Sequence, residues 1–225
     1  MRILCVSDIV DKYLYSSEDS LKIKPDLIIS CGDLPKDYLE FLMSKYNVPL
    51  FFVQGNHDNY YYSVEGAYDY SEVKLISNSR FDFSSKYDYS KSFAGVNIDR
   101  KIVKFGDLLF LGFEGSNKYN NGIHQYTQEE MYRRVRSVYA KLLIKRFMFG
   151  RGVDIIVTHA PPYGIHDRDD IVHTGFKAFL EIIEKFRPKY LLHGHTHIYD
   201  IREKKITEYG ETKIINCYGY FVLDL

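Results

Sequence analysis

Short clusters of Asp, Asn and His follow apolar runs at five places along the chain. Each run is short and rich in Ile, Leu, Val or Phe, which is typical of a buried β-strand. A strand that ends in a turn places the next polar residue at the edge of its sheet. Five such residues can therefore come together at one place. The five clusters are Asp8 after RILCVS, Gly32-Asp33 after DLIISC, Gly55-Asn56-His57-Asp58 after PLFFVQ, His159 after VDIIVT, and Gly194-His195-Thr196-His197 after KYLLH.

The first third of the chain has the pattern of an α/β unit. Apolar runs alternate with a stretch of helical period, and strands joined through helices run parallel. In open α/β sheets the carboxyl ends of such strands form the binding edge, so the polar clusters are expected there. The predicted elements are strands at residues 3–7, 27–30 and 50–53 and a helix between residues 35 and 46.

The middle of the chain is less regular, and its end returns to an α/β pattern. Residues 60–100, rich in Tyr, Ser, Asp and Phe, are expected to form a loop-rich insertion or cap with short strands near 73–76 and 93–96. Thr127 and Glu130 form a capping box that predicts a helix continuing to about Phe149. Without a linker or repeat, residues 1–225 are expected to form a single domain. The remaining predicted elements are a hairpin of residues 101–105 and 108–113, a strand at 153–158, a helix at about 174–186, a strand at 189–193, and short antiparallel strands from residue 199 onwards.

Composition sets modest bounds on function. The chain has 225 residues, 45% of them hydrophobic, which suffices for one good core. Its 30 basic and 30 acidic residues cancel, so no overall field attracts nucleic acid or an anionic membrane, although a local patch remains open. No apolar run approaches the about 20 residues of a membrane span, and no signal segment is recognisable. The cysteines lack CxxC spacing and are expected to be buried and reduced, which favours a cytoplasmic protein.

Carboxylate, amide and imidazole groups that meet at one edge would form a site for divalent metal ions. Asp33 follows a central strand and suits a carboxylate that bridges two ions, whereas Asn56 offers a neutral oxygen. His159, His195 and His197 would add nitrogen ligands, because residues two apart on an extended stretch point to the same side.

His57 and Asp58 are the predicted catalytic residues. His57 follows Asn56 directly and need not bind metal itself. An imidazole suits protonation of a departing alkoxide near neutral pH. Asp58 is expected to orient the ring of His57 or to raise its basicity.

In their order, the clusters resemble the motifs of the calcineurin-like metallophosphoesterase family, in particular its small prokaryotic members. The family's order is D-x-H, GD, GNH[D/E], a lone His and GHxH, and the match here extends over residues 1–200. The resemblance implies a four-layer αββα sandwich, two divalent ions and His57 as the acid. The ligands that it implies are Asp8, Asp33 and His197 for the first ion and Asp33, Asn56, His159 and His195 for the second.

One position departs from the family's pattern. Val10 replaces the histidine of D-x-H and cannot bind a metal, so the first ion keeps three protein ligands, which suffice when water completes the site. Asp11 is the expected substitute, and its alternative as a solvated loop residue has equal weight. Some relatives use a tyrosine three residues after the bridging Asp instead, but this chain has Lys36 there. Tyr38 is close in sequence and is a further candidate, with its direction left open.

The other histidines are expected to have structural or solvent-exposed positions. His193 should pack or form hydrogen bonds beside the site, and His124 should lie in a surface loop. His166 and His173 flank acidic residues in a loop after His159 that should border the site. Solvated loop positions are expected for both, with contact to substrate as the alternative.

The sequence therefore predicts a metal-dependent phosphodiesterase that hydrolyses a small phosphoester by a metal-bridging hydroxide. Mixed nitrogen and oxygen ligands suit Mn, Fe, Zn or Ni, and manganese is the ion to add first in an assay. The alternative function is a non-catalytic, metal-binding scaffold for protein interaction on the same fold, which loss of a ligand at Val10 would suggest. The presence of His57 and Asp58 favours the enzyme. No membrane partner is predicted, and the sequence gives no strong signal for a nucleic acid partner.

Overall fold

Two mixed β-sheets with flanking helices form the protein, as seen in a computed structural model that describes residues 1–58, 95–200 and 202–225. Most of the predicted cap at residues 60–100, including its strand near 73–76, lies outside the described residues. Helices of the described residues are α1 (Lys12–Ser16), α2 (Lys36–Tyr46), α3 (Gln128–Arg136), α4 (Tyr139–Phe149) and α5 (Lys177–Phe186), with a 3₁₀ helix at Glu18–Ile23. Strands are β1 (Arg2–Ser7), β2 (Leu27–Ser30), β3 (Leu50–Phe52), β4 (Val96–Asn97), β5 (Ile102–Phe105), β6 (Leu108–Phe113), β7 (Ser116–Asn117), β8 (Gln125–Tyr126), β9 (Ile155–Thr158), β10 (Tyr190–His193), β11 (Ile206–Tyr209), β12 (Thr212–Asn216) and β13 (Gly219–Asp224).

The strand order brings the carboxyl ends of the central strands together. The first sheet has the order β13-β1-β2-β3-β4, in which β1 to β4 are parallel and β13 is antiparallel to β1. The second sheet has the order β11-β12-β10-β9-β6-β5, in which β12, β10, β9 and β6 are parallel and both edge strands are antiparallel. β7 and β8 form a separate parallel pair.

Three apolar layers separate four structural layers, which confirms the predicted αββα arrangement. Leu39 and Leu42 of α2 pack with Leu4 of β1 on the outer face of the first sheet. Helices α3, α4 and α5 cover the outer face of the second sheet, where Leu142 and Ile182 are buried. Each helix thus buries one apolar face against a sheet, and the sheets bury their other faces against each other.

The inner layer is the contact between the two sheets. Cys5 and Ile29 of the first sheet pack with Val157 and Leu192 of the second. Aromatic rings add to this layer, and an edge-to-face pair joins Phe51 to Phe110 with 5.6 Å between ring centroids. Buried on both faces, the central strands are apolar throughout, which explains their continuous runs in the sequence.

Two sequence predictions require correction. The helix expected from Thr127 to Phe149 is broken, because the Ser137 hydroxyl donates to the carbonyl of Arg134 and buried Val138 separates α3 from α4. The capping box at Thr127 is confirmed. The C-terminal strands are not all antiparallel, since β12 pairs with β10 in parallel.

Replacement of Phe110 by Ala tests the inner layer. Phe110 is 0% exposed, so the cavity and the lost apolar contact should lower the free energy of unfolding by about 3–5 kcal/mol. Phe147→Ala is the matched control, because Phe147 is 93% exposed and its loss should change stability by less than about 0.5 kcal/mol. Urea denaturation of both variants measures the difference, and equal losses would contradict the assignment of the inner core.

Candidate metal centre

The five polar clusters meet at one end of the two sheets. Asp8, Asp33 and Asn56 follow strands of the first sheet, whereas His159 and His195 follow strands of the second. Hydrogen bonds between the clusters cross from one sheet to the other, so the predicted convergence is observed for these residues. Their roles as metal ligands are a proposal that depends on the geometry of their side chains.

His159 lies at the centre of this group and is fully buried. Its Nδ1 donates a hydrogen bond to the carbonyl oxygen of Cys31 over 2.8 Å. Its Nε2 lies 3.0 Å from Oδ1 of Asn56 and 3.3 Å from Oδ2 of Asp33. The hydrogen bond to Cys31 therefore fixes the ring so that Nε2 faces two oxygen atoms of the first sheet, as in metal-binding histidines supported by a backbone carbonyl.

Asp33 and His159 form an ion pair that dominates the local electrostatics. Burial would raise the pKa of Asp33, but the charge of His159 and its hydrogen bond outweigh burial and lower that pKa to about 2. Burial would lower the pKa of His159, but the charge of Asp33 and the same hydrogen bond raise it to about 9. The position between the two side chains thus favours positive charge, which a divalent cation can supply in place of the proton.

Asp8 connects the first sheet to the loop after β10. Both of its carboxylate oxygens accept from the backbone N–H of His195 over 3.0 Å. Burial raises the pKa of Asp8 to about 7, against the opposing charge of His159. A buried carboxylate of this kind gains stability from a cation beside it. Nε2 of His197 lies 3.8 Å from Oδ1 of Asp8 and completes this side of the site.

His195 and His197 both present rings to the site. Nε2 of His195 donates to the carbonyl oxygen of Val172 over 2.9 Å, which leaves Nδ1 with a free lone pair. Burial lowers the pKa of His195 to about 3, so the ring is neutral and able to act as a ligand. His197 is half-buried, burial lowers its pKa as well, and its Nδ1 lies 2.8 Å from the hydroxyl of Tyr199.

The turns that present these side chains adopt left-handed backbone conformations. Asp8 has φ 67°, Asp33 has φ 56° and His195 has φ 65°. This region is uncommon for residues other than Gly, although Asp and His enter it more readily than most, and strain of this kind often clusters at functional sites.

Three glycines permit the close approach of the two sheets at the site. A methyl group at Gly194 would overlap the hydroxyl of Ser7 and lie 2.6 Å from Oδ2 of Asp8. A methyl group at Gly32 would lie 2.8 Å from Nδ1 of His159, and one at Gly55 would overlap Oδ1 of Asp33. Any side chain at these positions would displace a predicted ligand.

The structure separates the roles of His57 and Asp58. The backbone N–H of His57 donates to Oδ1 of Asp33 over 2.8 Å, and the residue itself is exposed. Asp58 is buried, and its Oδ2 accepts from the backbone N–H groups of Asp33 at 2.9 Å and Gly55 at 2.8 Å. Among the hydrogen bonds of the described residues, Asp58 joins two loops and does not contact the ring of His57. The expectation that it orients that ring is thus not supported.

The two candidate substitutes for the missing histidine have structural contacts of their own. Tyr38 is buried in the layer between α2 and the first sheet, and its candidacy stays a prediction. Asp11 caps α1, since its Oδ1 accepts from the backbone N–H groups of Tyr13 and Leu14. This role as a helix cap was not foreseen from the sequence. Val10 itself is exposed.

A chain of hydrogen bonds supports the loop that carries His195. Nδ1 of His193 donates to the carbonyl of Gly194, and its Nε2 accepts from Nδ1 of His166 over 2.9 Å. Nε2 of His166 in turn accepts from the hydroxyl of Thr207 over 2.8 Å. Burial lowers the pKa of both histidines, to about 3 for His193. The prediction for His193 is confirmed, whereas a solvated position for His166 was wrong.

Sequence reasoning also missed neighbours of the predicted ligands. The amide of Asn56 donates to the hydroxyl of Tyr119 over 3.1 Å. The ring of His173 lies 5.2 Å from the ring of His195, so His173 is not merely a solvated loop residue. His124, which was expected in a surface loop, is half-buried beside Glu114. The residues near Tyr119 are typical of a turn and indicate a loop. Nothing in the local sequence indicates that Tyr119 contacts Asn56.

The donor atoms fit a divalent metal ion. Ligand atoms of Asp33, His159 and His195 all lie within 4.8 Å of one another. One carboxylate and two imidazoles are a donor set that suits several transition metals. The glycines leave room for these side chains to approach from both sheets. Asp8 and His197 extend the set on one side, and Asn56 extends it on the other.

Comparisons with known proteins find relatives in sequence and in fold. A family model described as calcineurin-like phosphoesterase matches residues 1–199. The uncharacterized protein MJ1162 of Methanocaldococcus jannaschii is 34% identical over 165 residues, which cover 69% of each chain. A UPF0046 protein of Caenorhabditis elegans is 22% identical, with 96% of this chain and 74% of the relative covered. The crystal structure of TT1561 from Thermus thermophilus has the same fold, with a TM-score of 0.56 at 14% identity over 97% of this chain and 89% of that chain.

Gly194→Ala tests whether the close approach at Asp8 is needed for metal binding. The added methyl group would displace the Asp8 carboxylate, so the affinity for Mn²⁺ should fall at least about tenfold, as is typical when a ligand loses its support. Gly210→Ala is the control for a methyl group added away from the site, because it meets nothing within 4 Å. Its left-handed φ of 58° strains the alanine, so this variant also shows whether a loss of stability alone changes the affinity for Mn²⁺. Isothermal titration with Mn²⁺ measures both variants. An affinity that is unchanged in Gly194→Ala would contradict the role of Asp8 in the site.

Proposed function

Because this chain belongs to the calcineurin-like phosphoesterase family, we propose that it is a metal-dependent phosphodiesterase with a dinuclear site. The observation that supports this function best is the convergence of Asp33, His159 and His195, whose ligand atoms lie within 4.8 Å of one another. These residues come from both sheets, so the fold itself assembles the site. A phosphoesterase family and a fitting donor set point to the same chemistry.

We assign the two ions to the two sides of Asp33. Asp33 is the proposed bridge between the two ions, and its Oδ2 is 3.3 Å from Nε2 of His159. The proposed ligands of the first ion are Asp8, Asp33 and His197, and those of the second are Asp33, Asn56, His159 and His195. Two divalent ions held here would neutralise charge on the phosphoryl oxygens and make a water molecule acidic enough to attack phosphorus.

His57 is the proposed general acid. Its backbone N–H donates to Asp33 beside the proposed ligands, and the residue is exposed, which suits a group that must reach the leaving group. Protonation of the departing alkoxide by an imidazole typically contributes about 10²–10⁴ in rate. Asp58 acts at a distance from the reaction by holding the loops of Asp33 and Gly55 together.

The charges near the site favour a diester over a monoester. A monoester carries more negative charge at neutral pH and benefits from cationic side chains around the phosphate. Within the described part of the chain, Arg168 is a cation close to the ligands, but its guanidinium donates to the carbonyl of His197 and pairs with Glu203 at 3.8 Å. A diester carries a single negative charge and therefore needs fewer cationic side chains around its phosphate.

The metal is proposed to be Mn, Fe, Zn or Ni, because carboxylate, amide and imidazole ligands suit all four. Val10 leaves the first ion with fewer protein ligands than the second. The first ion is thus expected to be the weaker one. The missing ligand at Val10 is the one observation that favours a second candidate function, a metal-binding scaffold without catalysis.

Hydrolysis of bis(4-nitrophenyl) phosphate in the presence of Mn²⁺ tests the enzyme function. His57→Ala should lower kcat at least about 100-fold for a diester whose leaving group is an alkoxide, because that group loses its proton donor. The loss on bis(4-nitrophenyl) phosphate should be smaller, because 4-nitrophenolate departs with little need of a proton. Mn²⁺ binding should persist, since the imidazole of His57 is not a proposed ligand. His124→Ala serves as the matched control, because this histidine lies beside Glu114 and not among the ligands. Removal of metal with EDTA should abolish activity in every variant.

The outcomes separate the two candidate functions. Activity that depends on metal and on His57 supports the phosphodiesterase. Equal activity of His57→Ala and the unchanged protein on a diester with an alkoxide leaving group would contradict the general acid assignment. Absence of activity with Mn²⁺, Ni²⁺ or Fe²⁺, in protein that binds these ions, would favour the scaffold.

A further inference from the structure

The outward surface of α4 exposes large apolar side chains. Phe147 is 93% exposed, Met148 is 60% exposed and Ile144 is 59% exposed. On its inward side the same helix buries Leu142 in the core of the second sheet. A helix that is apolar on both sides is unusual at a protein surface, because the outward side normally carries polar residues. Contiguous exposed apolar side chains mark an interaction surface.

The segment around α4 is strongly basic in an otherwise neutral chain. Residues 131–153 contain seven Lys and Arg residues and no Asp or Glu, although the whole chain has 30 basic and 30 acidic residues. Arg134, Arg136 and Arg151 pair with acidic residues elsewhere. Among the ion pairs of the described residues, none includes the other four, which are Arg133, Lys141, Lys145 and Arg146.

The helical geometry arranges these residues in a definite pattern. With about 3.6 residues per turn, Ile144 and Phe147 lie on one outward stripe of α4. Lys141 and Lys145 lie along one side of that stripe, and Arg146 lies on the other side. The apolar stripe is therefore bordered by positive charge on both sides, with no acidic residue in the helix to neutralise it.

We propose that α4 is a docking surface for anionic phospholipid membranes. A helix that lies at a membrane interface inserts its apolar side chains among the acyl chains, while its flanking Lys and Arg side chains contact the negative headgroups. Phe147 and Met148 would enter the apolar region, and Lys141, Lys145 and Arg146 would bind lipid phosphates. The expectation of no membrane partner rested on the net charge of the chain, which conceals this local patch.

Charge argues against a second copy of the chain as the occupant. A symmetric dimer brings the same surface of both copies together. Lys141, Lys145 and Arg146 of each copy would then face their counterparts across a low-dielectric contact without acidic partners from this helix. Like charges in that position oppose association. An anionic membrane offers an apolar interior to the stripe and negative headgroups to the cations that border it.

The docking surface lies away from the proposed metal centre. Residues 150–154 connect α4 to the first residue of β9, whereas His159 follows the last residue of that strand. The end of α4 is thus near the opposite end of the second sheet. A docked protein would keep its metal centre open to solution, so this inference stands independently of the proposed function.

Co-sedimentation of the full chain with vesicles tests the proposal. Binding to vesicles of phosphatidylcholine mixed with phosphatidylglycerol should exceed binding to pure phosphatidylcholine at least about tenfold and should fall as salt is raised. Lys141→Glu combined with Lys145→Glu should weaken binding at least about tenfold. Phe147→Ser combined with Met148→Ser should weaken it by a similar factor, because less apolar surface is buried.

Controls keep the result interpretable. Leu21→Ser removes an exposed apolar side chain from the 3₁₀ helix on the other side of the protein and should leave vesicle binding unchanged. Circular dichroism melts show that each variant is folded. Failure of the folded, unchanged protein to bind the anionic vesicles would overturn the proposal. Vesicle binding by both double variants that equals binding by the unchanged protein would overturn it as well. A dimer in light scattering that Phe147→Ser dissociates, without vesicle binding, would overturn it in favour of a second copy.

Discussion

The buried imidazole of His159 is the contact on which the site depends. This residue ends a strand of the second sheet, yet its ring nitrogens reach the carbonyl of Cys31, the amide oxygen of Asn56 and the carboxylate of Asp33, all in the first sheet. A polar ring without hydrogen bonds at this depth would be costly, so the position and orientation of the two sheets are constrained by it. The mutual effect on the pKa values of His159 and Asp33 follows from the same contact.

Other features of the site serve this close approach of the sheets. Asp8 accepts from the backbone of His195, which provides a second connection between the sheets. Gly194 allows that connection, because a methyl group there would overlap Ser7. Asp58 holds two loops of the first sheet. Left-handed turns at residues other than Gly are unfavourable and are not needed at a sheet edge without a function. Such turns, and glycines that allow close approach, are expected where ligands must converge.

Much of the fold and of the site was predictable, because local pattern carries that information. The apolar runs before Asp8, Asp33 and His159 are buried strands, and polar residues after parallel strands lie at one edge. Contacts between distant segments were not predictable. The direction of Tyr38, the backbone partners of Asp58 and the pairing of β12 with β10 depend on packing that no sequence window contains. The apolar stripe of α4 was hidden because its residues also fit a buried helix.

Electron paramagnetic resonance of the Mn²⁺-loaded protein tests the central claim most directly, since it reports whether ions share the ligands around Asp33 and His159. Two Mn²⁺ ions bridged by one carboxylate lie about 3.5–4 Å apart and couple their spins. A coupled spectrum at saturation, which is lost in Asp33→Asn while the fold is kept, is the predicted result. A spectrum of isolated Mn²⁺ at saturation would contradict the dinuclear site.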